Sequence, residues 1–333
     1  MAMSTKSIRV FYVVLVGLLS STSAWAEWLR EAQSKMGTQV TVTFWNGDVS
    51  SAGVERGRKL MRLSMAEFDR IENAMSTYIP DTEMWNINTH AADYPVKVSA
   101  ELMQLLQRAL QLSETTSGAF DITYDSVGHL YDYRNSVHPD ANTINDHLGT
   151  VNYSHVQLDM AHSTVRFLRP GVRINLGGIA KGYSVERVIA LLDGQGIAHA
   201  SATAGGDTRI LGDRRGVPWI IGIRHPDEPD GIVTRLPIID EAVSTSGDYE
   251  RFFIADGARY HHILDPASGL PTEGVRSVTI LGPDGTMTDG LSTSVFVLGV
   301  PAGLHQIESM PAYEAVIIDD QGQLHYSSGL SGY

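Results

Sequence analysis

A strand followed by a long helix is predicted between residues 38 and 75. Val40, Val42 and Phe44 alternate with polar residues on one side of an extended chain, and the turn pair Asn46-Gly47 ends the run. From about residue 52 to 75, apolar residues recur every three or four positions with charges between them, which predicts an amphipathic helix. The members of this apolar stripe are Met61, Met65, Phe68, Ile71 and Met75.

Helical spacing recurs at several places further along the chain. Ser99 can cap a helix that has Glu101 in its first turn and leucines along one face. A third helix begins in the Gly177-Gly178 turn and runs to about Leu192. Two more helices are predicted, at about 288–298 and near 302–307. The leucines that follow Ser99 are Leu102, Leu105, Leu106 and Leu110.

Short strands fill most of the rest of the chain. Clusters of strands separated by occasional helices favour an α+β fold over a regular series of β-α-β units. No shift in composition marks a domain boundary, so residues 27–333 are predicted to form one unit. The strands are predicted at 156–158, 164–168, 172–176, 197–202, 219–223, 232–238, 251–254, 277–281, 314–318 and 324–326.

The composition is that of a folded protein with an acidic surface. Apolar residues make up 43% of the chain and charged residues 19%, and the formal net charge is −13. This charge disfavours nucleic acid and anionic membrane as main partners, and a phosphate-bearing ligand would need a local cation, backbone N–H groups or a metal. The absence of cysteine from the sequence excludes disulfides, zinc-thiolate sites and a cysteine nucleophile.

The first 26 residues have the pattern of a signal peptide. Lys6 and Arg9 precede the apolar run 10–19, and Ala24-Trp25-Ala26 fits a small-x-small cleavage site. A membrane anchor is the alternative, but the run has about half of the ~20 apolar residues that a bilayer requires. Removal of residues 1–26 would take the charge from −13 to −15, because Lys6 and Arg9 leave with them. We therefore expect an exported, periplasmic protein that lacks the cysteine needed for a lipid anchor.

Two segments could hold a phosphate and a cation. The run from Gly177 to Gly182 joins a predicted strand to a helix, so its free N–H groups and Lys181 could bind a phosphate; the alternative is a glycine turn used for packing. Asp289 and Thr293 are four residues apart on a predicted helix and could share one cation through oxygen. The alternative for Asp289 is a helix cap.

Further candidates for chemistry lie in turns. His262 and Asp265 could act as acid–base groups, or they could be a buried histidine and a turn-capping aspartate. His261 and His262 are adjacent in an extended segment, so at most one of them is expected to point into a site. Tyr78, near the end of the first helix, could stack on a flat ring or be simply half-buried, and the turn 117–121 brings an aromatic ring and a carboxylate together.

Taken in order, these segments resemble the ApbE family, the FAD:protein FMN transferases. The resemblance covers nearly the whole chain after residue 26. The matching segments are Met36-Gly37-Thr38, Met75-Ser76-Thr77-Tyr78, Ser117-Gly118-Ala119-Phe120-Asp121, the run 176–183, Ala204-Gly205-Gly206-Asp207, the run 244–249, His262-Ile263-Leu264-Asp265-Pro266, and Asp289-Gly290-Leu291-Ser292-Thr293.

The resemblance implies a fold, a reaction and a set of site residues. It implies mixed or antiparallel sheets flanked by helices in one compact catalytic unit, which transfers FMN from FAD to a Thr or Ser hydroxyl of a membrane electron-transfer subunit and releases AMP. His262 would activate the acceptor hydroxyl, and Tyr78 would lie against the isoalloxazine ring. The implied FAD contacts are Met36, Tyr78, Ala119, Phe120, Asp121, Asn175, Lys181 and Ile263, and the implied magnesium ligands are the Gly178 carbonyl, Asp289 and Thr293.

Elementary chemistry agrees with these roles but leaves alternatives open. Breaking a diphosphate requires charge neutralisation and an in-line nucleophile, and a hydroxyl needs a base such as His262. The same site could hydrolyse FAD to FMN and AMP, or the chain could be an exported FAD-binding assembly protein. Three departures from the family pattern are present: Asn175 in place of a usual Asp, Gly290 and Ser292 in place of usual Ala, and Ala202-Thr203-Ala204 in place of a Val-Asn-Leu-like run.

Overall fold

An eight-stranded antiparallel sheet forms the centre of this computed structural model, which describes residues 27–228 and 230–330. The strands are β1 (Glu27–Lys35), β2 (Thr38–Asn46), β3 (Val96–Lys97), β4 (Val156–Asp159), β5 (Thr164–Phe167), β6 (Ala200–Ala204), β7 (Asp207–Leu211), β8 (Trp219–Arg224), β9 (Ile232–Ile238), β10 (Ala242–Gly247), β11 (Phe252–Ala255), β12 (Ala258–His261), β13 (Val275–Gly282), β14 (Glu314–Asp319) and β15 (Leu324–Tyr326). The order in the central sheet is β1-β2-β6-β7-β10-β13-β14-β15, and every neighbouring pair is antiparallel.

The α-helices are α1 (Ser51–Met75), α2 (Glu83–His90), α3 (Ala100–Thr115), the single turn α4 (Asp125–Gly128), α5 (Ala141–Leu148), α6 (Ala180–Gly194) and α7 (Gly285–Glu308). Of these, α1, α6 and α7 pack directly on one face of the central sheet. The small sheets β3-β5-β4, β8-β9 and β11-β12 are also antiparallel. The α+β prediction, with antiparallel sheets flanked by helices, is therefore confirmed.

The two faces of the sheet follow the alternation in the sequence. Val40, Val42 and Phe44 of β2 are fully buried and pack with residues of α1 and α6, as the two-residue period predicts. On the opposite face, inward residues such as Val243 and Leu281 pack against the β8–β9 hairpin. The sheet is thus covered by helices on one side and by a hairpin on the other.

Helix α7 is buried without an apolar stripe. Its first turns contain Thr288, Asp289 and Ser292, all of which are buried, so their polar groups need partners inside the protein. The Thr288 hydroxyl lies 2.8 Å from that of Ser244, and Ser292 lies 2.8 Å from Ser246 on the same strand, β10. Further along, Gly299 has φ 75° and breaks the helix, as the prediction of two separate helices requires.

The predicted strand at 172–176 is wrong. These residues belong to no strand, because their N–H groups bond elsewhere: Ile174 N–H to Asn88 Oδ1 at 2.8 Å and Asn175 N–H to the Ile122 carbonyl at 2.9 Å. The pattern also missed β1, β7, β10, β12, α2 and α5. Strand β10 is built largely from small and hydroxyl side chains, which give no apolar alternation even though most of them are buried.

The predicted signal peptide, residues 1–26, lies outside the described residues. Across 27–228 and 230–330, none of the helices combines the length and the apolar character needed to cross a membrane.

Helix α1 allows a direct test of which of its faces contributes to the stability of the protein. Phe68 is completely buried, whereas Leu63 on the same helix is 42% exposed. We expect Phe68→Ala to lower the free energy of unfolding by about 3–5 kcal/mol because it leaves a cavity in the core. Leu63→Ala should lower it by less than about 1 kcal/mol. Chemical denaturation of both variants measures the difference, and equal losses would contradict the assigned burial.

Candidate active site

The candidate site lies where the first turns of α6 and α7 cross on the helical face of the sheet. The two backbones are so close that a β-carbon on Gly182 would lie 2.0 Å from the Gly285 carbonyl oxygen. Only glycine fits at this crossing. The crossing brings the Gly177–Gly182 turn next to Asp289 and Thr293, which the sequence separates by more than 100 residues.

Asp289 points into this crossing and is only 2% exposed. Its Oδ2 accepts a hydrogen bond from the Gly182 N–H at 2.9 Å, and its Oδ1 lies 3.4 Å from Lys181 Nζ. The cap of α7 is Asp284 instead, whose Oδ1 accepts from the Met287 N–H at 3.1 Å. The alternative interpretation of Asp289 as a helix cap is therefore wrong.

Lys181 is shared between two buried carboxylates. Besides Asp289 it binds Asp207, which is 1% exposed and stands at the start of β7. Burial lowers the pKa of Lys181, but the two carboxylates outweigh it and the net shift is upward. Burial, with the nearby Asp207 charge, raises the pKa of Asp289 to about 7. With both acids ionised, the three groups carry a net charge of −1.

The predicted magnesium ligands lie together beside this trio. A β-carbon on Gly178 would lie 3.2 Å from Thr293 Oγ1, and one on Gly290 would lie 3.8 Å from the Gly178 carbonyl oxygen. No cluster of three or more His, Asp or Glu side chains suited to a metal occurs among the described residues. The predicted set contains one carboxylate, one hydroxyl and one carbonyl, which are the hard oxygen ligands that Mg²⁺ takes.

The charge and the unpaired atoms of this crossing fit a cation. Asp207 Oδ1 is buried and has no hydrogen-bond partner within the described part of the chain. A buried carboxylate without full compensation is costly. A divalent ion at Gly178, Asp289 and Thr293 would offset the excess negative charge of Asp207 and Asp289.

His262 lies near the same cluster, at the end of the β11–β12 hairpin. Its Nδ1 is buried and lacks a hydrogen-bond partner among the residues described. Burial lowers its pKa to about 3, and the charges of Arg251, His261 and Lys181 contribute to the shift. The imidazole is therefore neutral at neutral pH in the flavin-free protein and has a nitrogen free to accept a proton.

The neighbours of His262 have their polar groups occupied. His261 Nε2 lies 2.9 Å from the Thr272 carbonyl oxygen, and its Nδ1 accepts from the Ile263 N–H at 3.3 Å, so both ring nitrogens of His261 have partners whereas His262 Nδ1 has none among the residues described. The Ile263 side chain is buried in the core. Asp265 Oδ1 accepts from the Ala267 N–H at 2.9 Å, a contact that favours turn capping. A catalytic role for Asp265 and an FAD contact for Ile263 stay predictions.

Asn175 contacts a buried acid. Its Nδ2 donates to Asp125 Oδ1 at 3.2 Å, and its Oδ1 accepts from the Gly177 N–H at 2.8 Å. Burial raises the pKa of Asp125, and Arg173 and Asn175 oppose that rise. An aspartate at position 175 would place a second carboxylate against Asp125, so the amide suits this chain and still positions the glycine turn.

The segment 119–121 is packed into the protein. Asp121 Oδ1 accepts from the Thr123 N–H at 2.8 Å and its Oδ2 from the Tyr153 N–H at 2.8 Å, so its carboxylate already has partners. Burial raises the pKa of Asp121 against these bonds. Ala119 and Phe120 are buried, and the Phe120 ring would lie 3.3 Å from a β-carbon on Gly178. This segment supports the glycine turn from behind, and its FAD contacts stay a prediction.

Met36 and Tyr78 form the outer rim. Met36 and Gly37 form the β1–β2 turn with φ 54° and 69°, a left-handed conformation that is unusual for methionine. The Met36 N–H donates to Glu72 Oε2 at 2.9 Å. The Tyr78 ring is 83% exposed, which leaves its faces free to stack on a planar ligand.

Two residues of the site carried no role in the sequence interpretation. Asp207 belongs to a segment that matched the family, but a single aspartate after two glycines is also typical of a turn. Arg251 was predicted only as the start of a strand, and its guanidinium lies at the rim: a β-carbon on Gly37 would lie 3.2 Å from its Nη2. No local pattern in the sequence marks either residue, because their neighbours come from distant segments.

The sequence profile of the ApbE family matches residues 36–317, which include every residue of the crossing and the rim. The chain belongs to the ApbE family. Its relatives include a protein of Vibrio cholerae named FAD:protein FMN transferase, 29% identical over 325 residues and covering 95% of this chain and 96% of that protein. Another so named, from Klebsiella pneumoniae, is 33% identical over 276 residues, which cover 79% of this chain and 86% of the relative.

Solved structures of the family share this fold. An ApbE protein from Thermotoga maritima superposes with a TM-score of 0.84 at 32% identity, over 92% of this chain and 99% of that one. The flavin transferase ApbE of Vibrio cholerae gives a TM-score of 0.81 at 29% identity, over 92% and 99%.

The low pKa of His262 gives the stability a defined dependence on pH. The ordinary pKa is 6.5 and the folded value is about 3, so between these values the unfolded chain binds a proton that the folded protein does not. Stability therefore falls as the pH drops from about 6.5 towards 3. We expect His262→Gln to lose less stability than the wild type between pH 7 and pH 5 in urea unfolding. An equal loss would mean that His262 is readily protonated in the folded state.

Proposed function

We propose that this chain is a magnesium-dependent enzyme that transfers the FMN half of FAD to a hydroxyl side chain of another protein. Membership of the ApbE family and relatives named FAD:protein FMN transferases support flavin transfer from FAD to a protein. The observation that carries the mechanism is the oxygen-lined crossing at Gly178, Asp289 and Thr293, with the neutral His262 nearby.

The ion would be held by the Gly178 carbonyl, the Asp289 carboxylate and the Thr293 hydroxyl. When bound, magnesium would neutralise charge on the diphosphate and leave positions open for its oxygens. The positive charge of Lys181 opposes the rise in the pKa of Asp289 and so favours its ionised form, and the Gly182 N–H fixes the direction of that carboxylate. Tyr78, exposed at the rim, would stack on the flavin ring.

His262 would remove the proton from the acceptor hydroxyl. The acceptor oxygen forms a bond to the phosphorus of the FMN phosphate, the bond from that phosphorus to the AMP phosphate breaks, and the proton passes to His262. The products are a protein–FMN phosphoester and AMP. Negative charge on a bound diphosphate would raise the pKa of the imidazole above its flavin-free value and make it a better base.

The proposed setting is the periplasm, and the proposed acceptor is a Thr or Ser of a membrane electron-transfer subunit. Support for export comes from Lys6, Arg9, the apolar run 10–19 and the Ala24-Trp25-Ala26 site. Support for the acceptor comes from the family resemblance.

The transfer itself is tested by incubating residues 27–333 with FAD, Mg²⁺ and an acceptor domain that contains the target threonine. We expect an FMN-sized mass gain on the acceptor together with release of AMP. An acceptor domain with that threonine replaced by valine is the matched control and should gain no mass. Free FMN and AMP with an unmodified acceptor would identify a hydrolase, and intact FAD throughout would identify a binding protein.

Asp289→Asn tests the metal site with little change of shape. We expect it to reduce Mg²⁺-dependent turnover at least about 100-fold, because the site would lose its one charged ligand. Asp284→Asn is the matched control in the first turn of the same helix, since Asn caps a helix as well as Asp does. Transfer rates measured against Mg²⁺ concentration distinguish the two variants, and full activity of Asp289→Asn would exclude the proposed ligand set.

A further inference from the structure

Arg251 faces the site from the strand opposite His262. It immediately precedes β11, and its carbonyl accepts the His262 N–H at 3.1 Å. Its guanidinium approaches the β1–β2 turn, 3.2 Å from where a β-carbon on Gly37 would lie. The Tyr124 hydroxyl lies 3.8 Å from where a β-carbon on Gly177 would stand, and the Arg251 charge opposes the rise that burial causes in the pKa of Tyr124. Arg251 therefore lies at the rim, close enough to act electrostatically on a residue beside the glycine turn.

The charge of Arg251 is uncompensated, unlike that of the other cations nearby. Lys181 is held by Asp207 and Asp289, and Arg173 lies 3.3 Å from Asp125. Among residues 27–228 and 230–330, Arg251 forms no ion pair, and it is exposed. In a protein of net charge −13, an unpaired guanidinium at the rim of a site provides the local cation that an anionic ligand needs.

We propose that Arg251 binds the phosphate groups of FAD, a proposal that rests on the function proposed above. Lys181 is already committed to two carboxylates, so it has little charge left for a phosphate. A guanidinium is planar and can donate two parallel hydrogen bonds to one phosphate. A backbone hydrogen bond holds Arg251 beside His262. Because the proposed role of His262 requires it to lie near the reacting phosphorus, Arg251 is better placed to bind a phosphate of FAD than a carboxylate of the acceptor.

The test compares FAD with riboflavin, which has the same ring but no phosphate. Both are titrated by flavin fluorescence without acceptor and without Mg²⁺, so that the protein's own cations are measured and turnover is avoided. We expect Arg251→Gln to weaken FAD binding about tenfold or more, as for a lost charged hydrogen bond, and to leave riboflavin binding unchanged. The FAD affinity of Arg251→Lys should lie between those of the wild type and Arg251→Gln, because lysine keeps the positive charge but cannot donate the two parallel hydrogen bonds.

Arg58→Gln is the matched control. Arg58 is exposed on α1, 17 positions before Met75, which places it about 25 Å along the helix from the Tyr78 end at ~1.5 Å per residue. The Arg58→Gln substitution removes one positive charge, as Arg251→Gln does, and should leave the affinities for FAD and for riboflavin unchanged. Thermal unfolding of all variants checks that the fold is intact.

Two outcomes would overturn the proposal: unchanged FAD affinity in Arg251→Gln, or equal weakening of FAD and riboflavin binding. If the FAD affinity is unchanged while the KM for the acceptor is raised, the guanidinium binds the acceptor protein instead. Failure of the proposed flavin transfer would be seen separately. The wild type would still bind FAD in a manner that depends on Arg251, but the acceptor would gain no mass.

Discussion

The close crossing of α6 and α7 is the constraint on which the site depends. Because Gly182 and Gly285 let the backbones touch, Asp289 reaches the N-terminal turn of α6 and accepts the Gly182 N–H. The same approach puts Lys181 between Asp289 and Asp207. Two buried acids share one ammonium, and when both are ionised they leave an excess negative charge that the proposed magnesium ion would offset.

The polar first turns of α7 follow from the same constraint. A helix that places Asp289 in the crossing and also packs on a sheet cannot be apolar on the face that meets the site. Its hydroxyl groups therefore bond to hydroxyls of β10, such as Ser244 with Thr288 and Ser246 with Ser292. These paired hydroxyls allow the first turns of α7 to be buried at little cost.

The two sides of the site have different electrostatic character. The crossing is acidic and buried, whereas the rim holds an exposed aromatic ring at Tyr78 and the unpaired cation of Arg251. His262 lies between them and is kept neutral by burial and by the surrounding positive charges. In the proposed reaction, the flat ring of FAD would lie at the rim and its diphosphate at the crossing, and the acceptor hydroxyl would approach His262.

The sequence by itself determined much of the local structure and the family, whereas the roles of the site residues stay predictions. The alternation of Val40, Val42 and Phe44 and the stripe on α1 are local patterns, and they were confirmed because each strand or helix buries its own apolar face. The ordered family segments likewise identified the family, which the comparisons confirm. Hydroxyl-rich β10 escaped prediction because its partners are other hydroxyls rather than an apolar core.

Only the tertiary structure decided which charged and polar groups lie next to one another. Three findings depend on contacts between distant segments of the chain. Asp289 is a buried ligand candidate and not a helix cap, Asp207 shares Lys181 with it, and Asn175 contacts Asp125. Sheet pairing and the helix crossing set those contacts, and no short-range spacing encodes them. The pKa values of His262 and Asp289 depend on burial and on charges brought together in the same way, so their chemistry belongs to the fold.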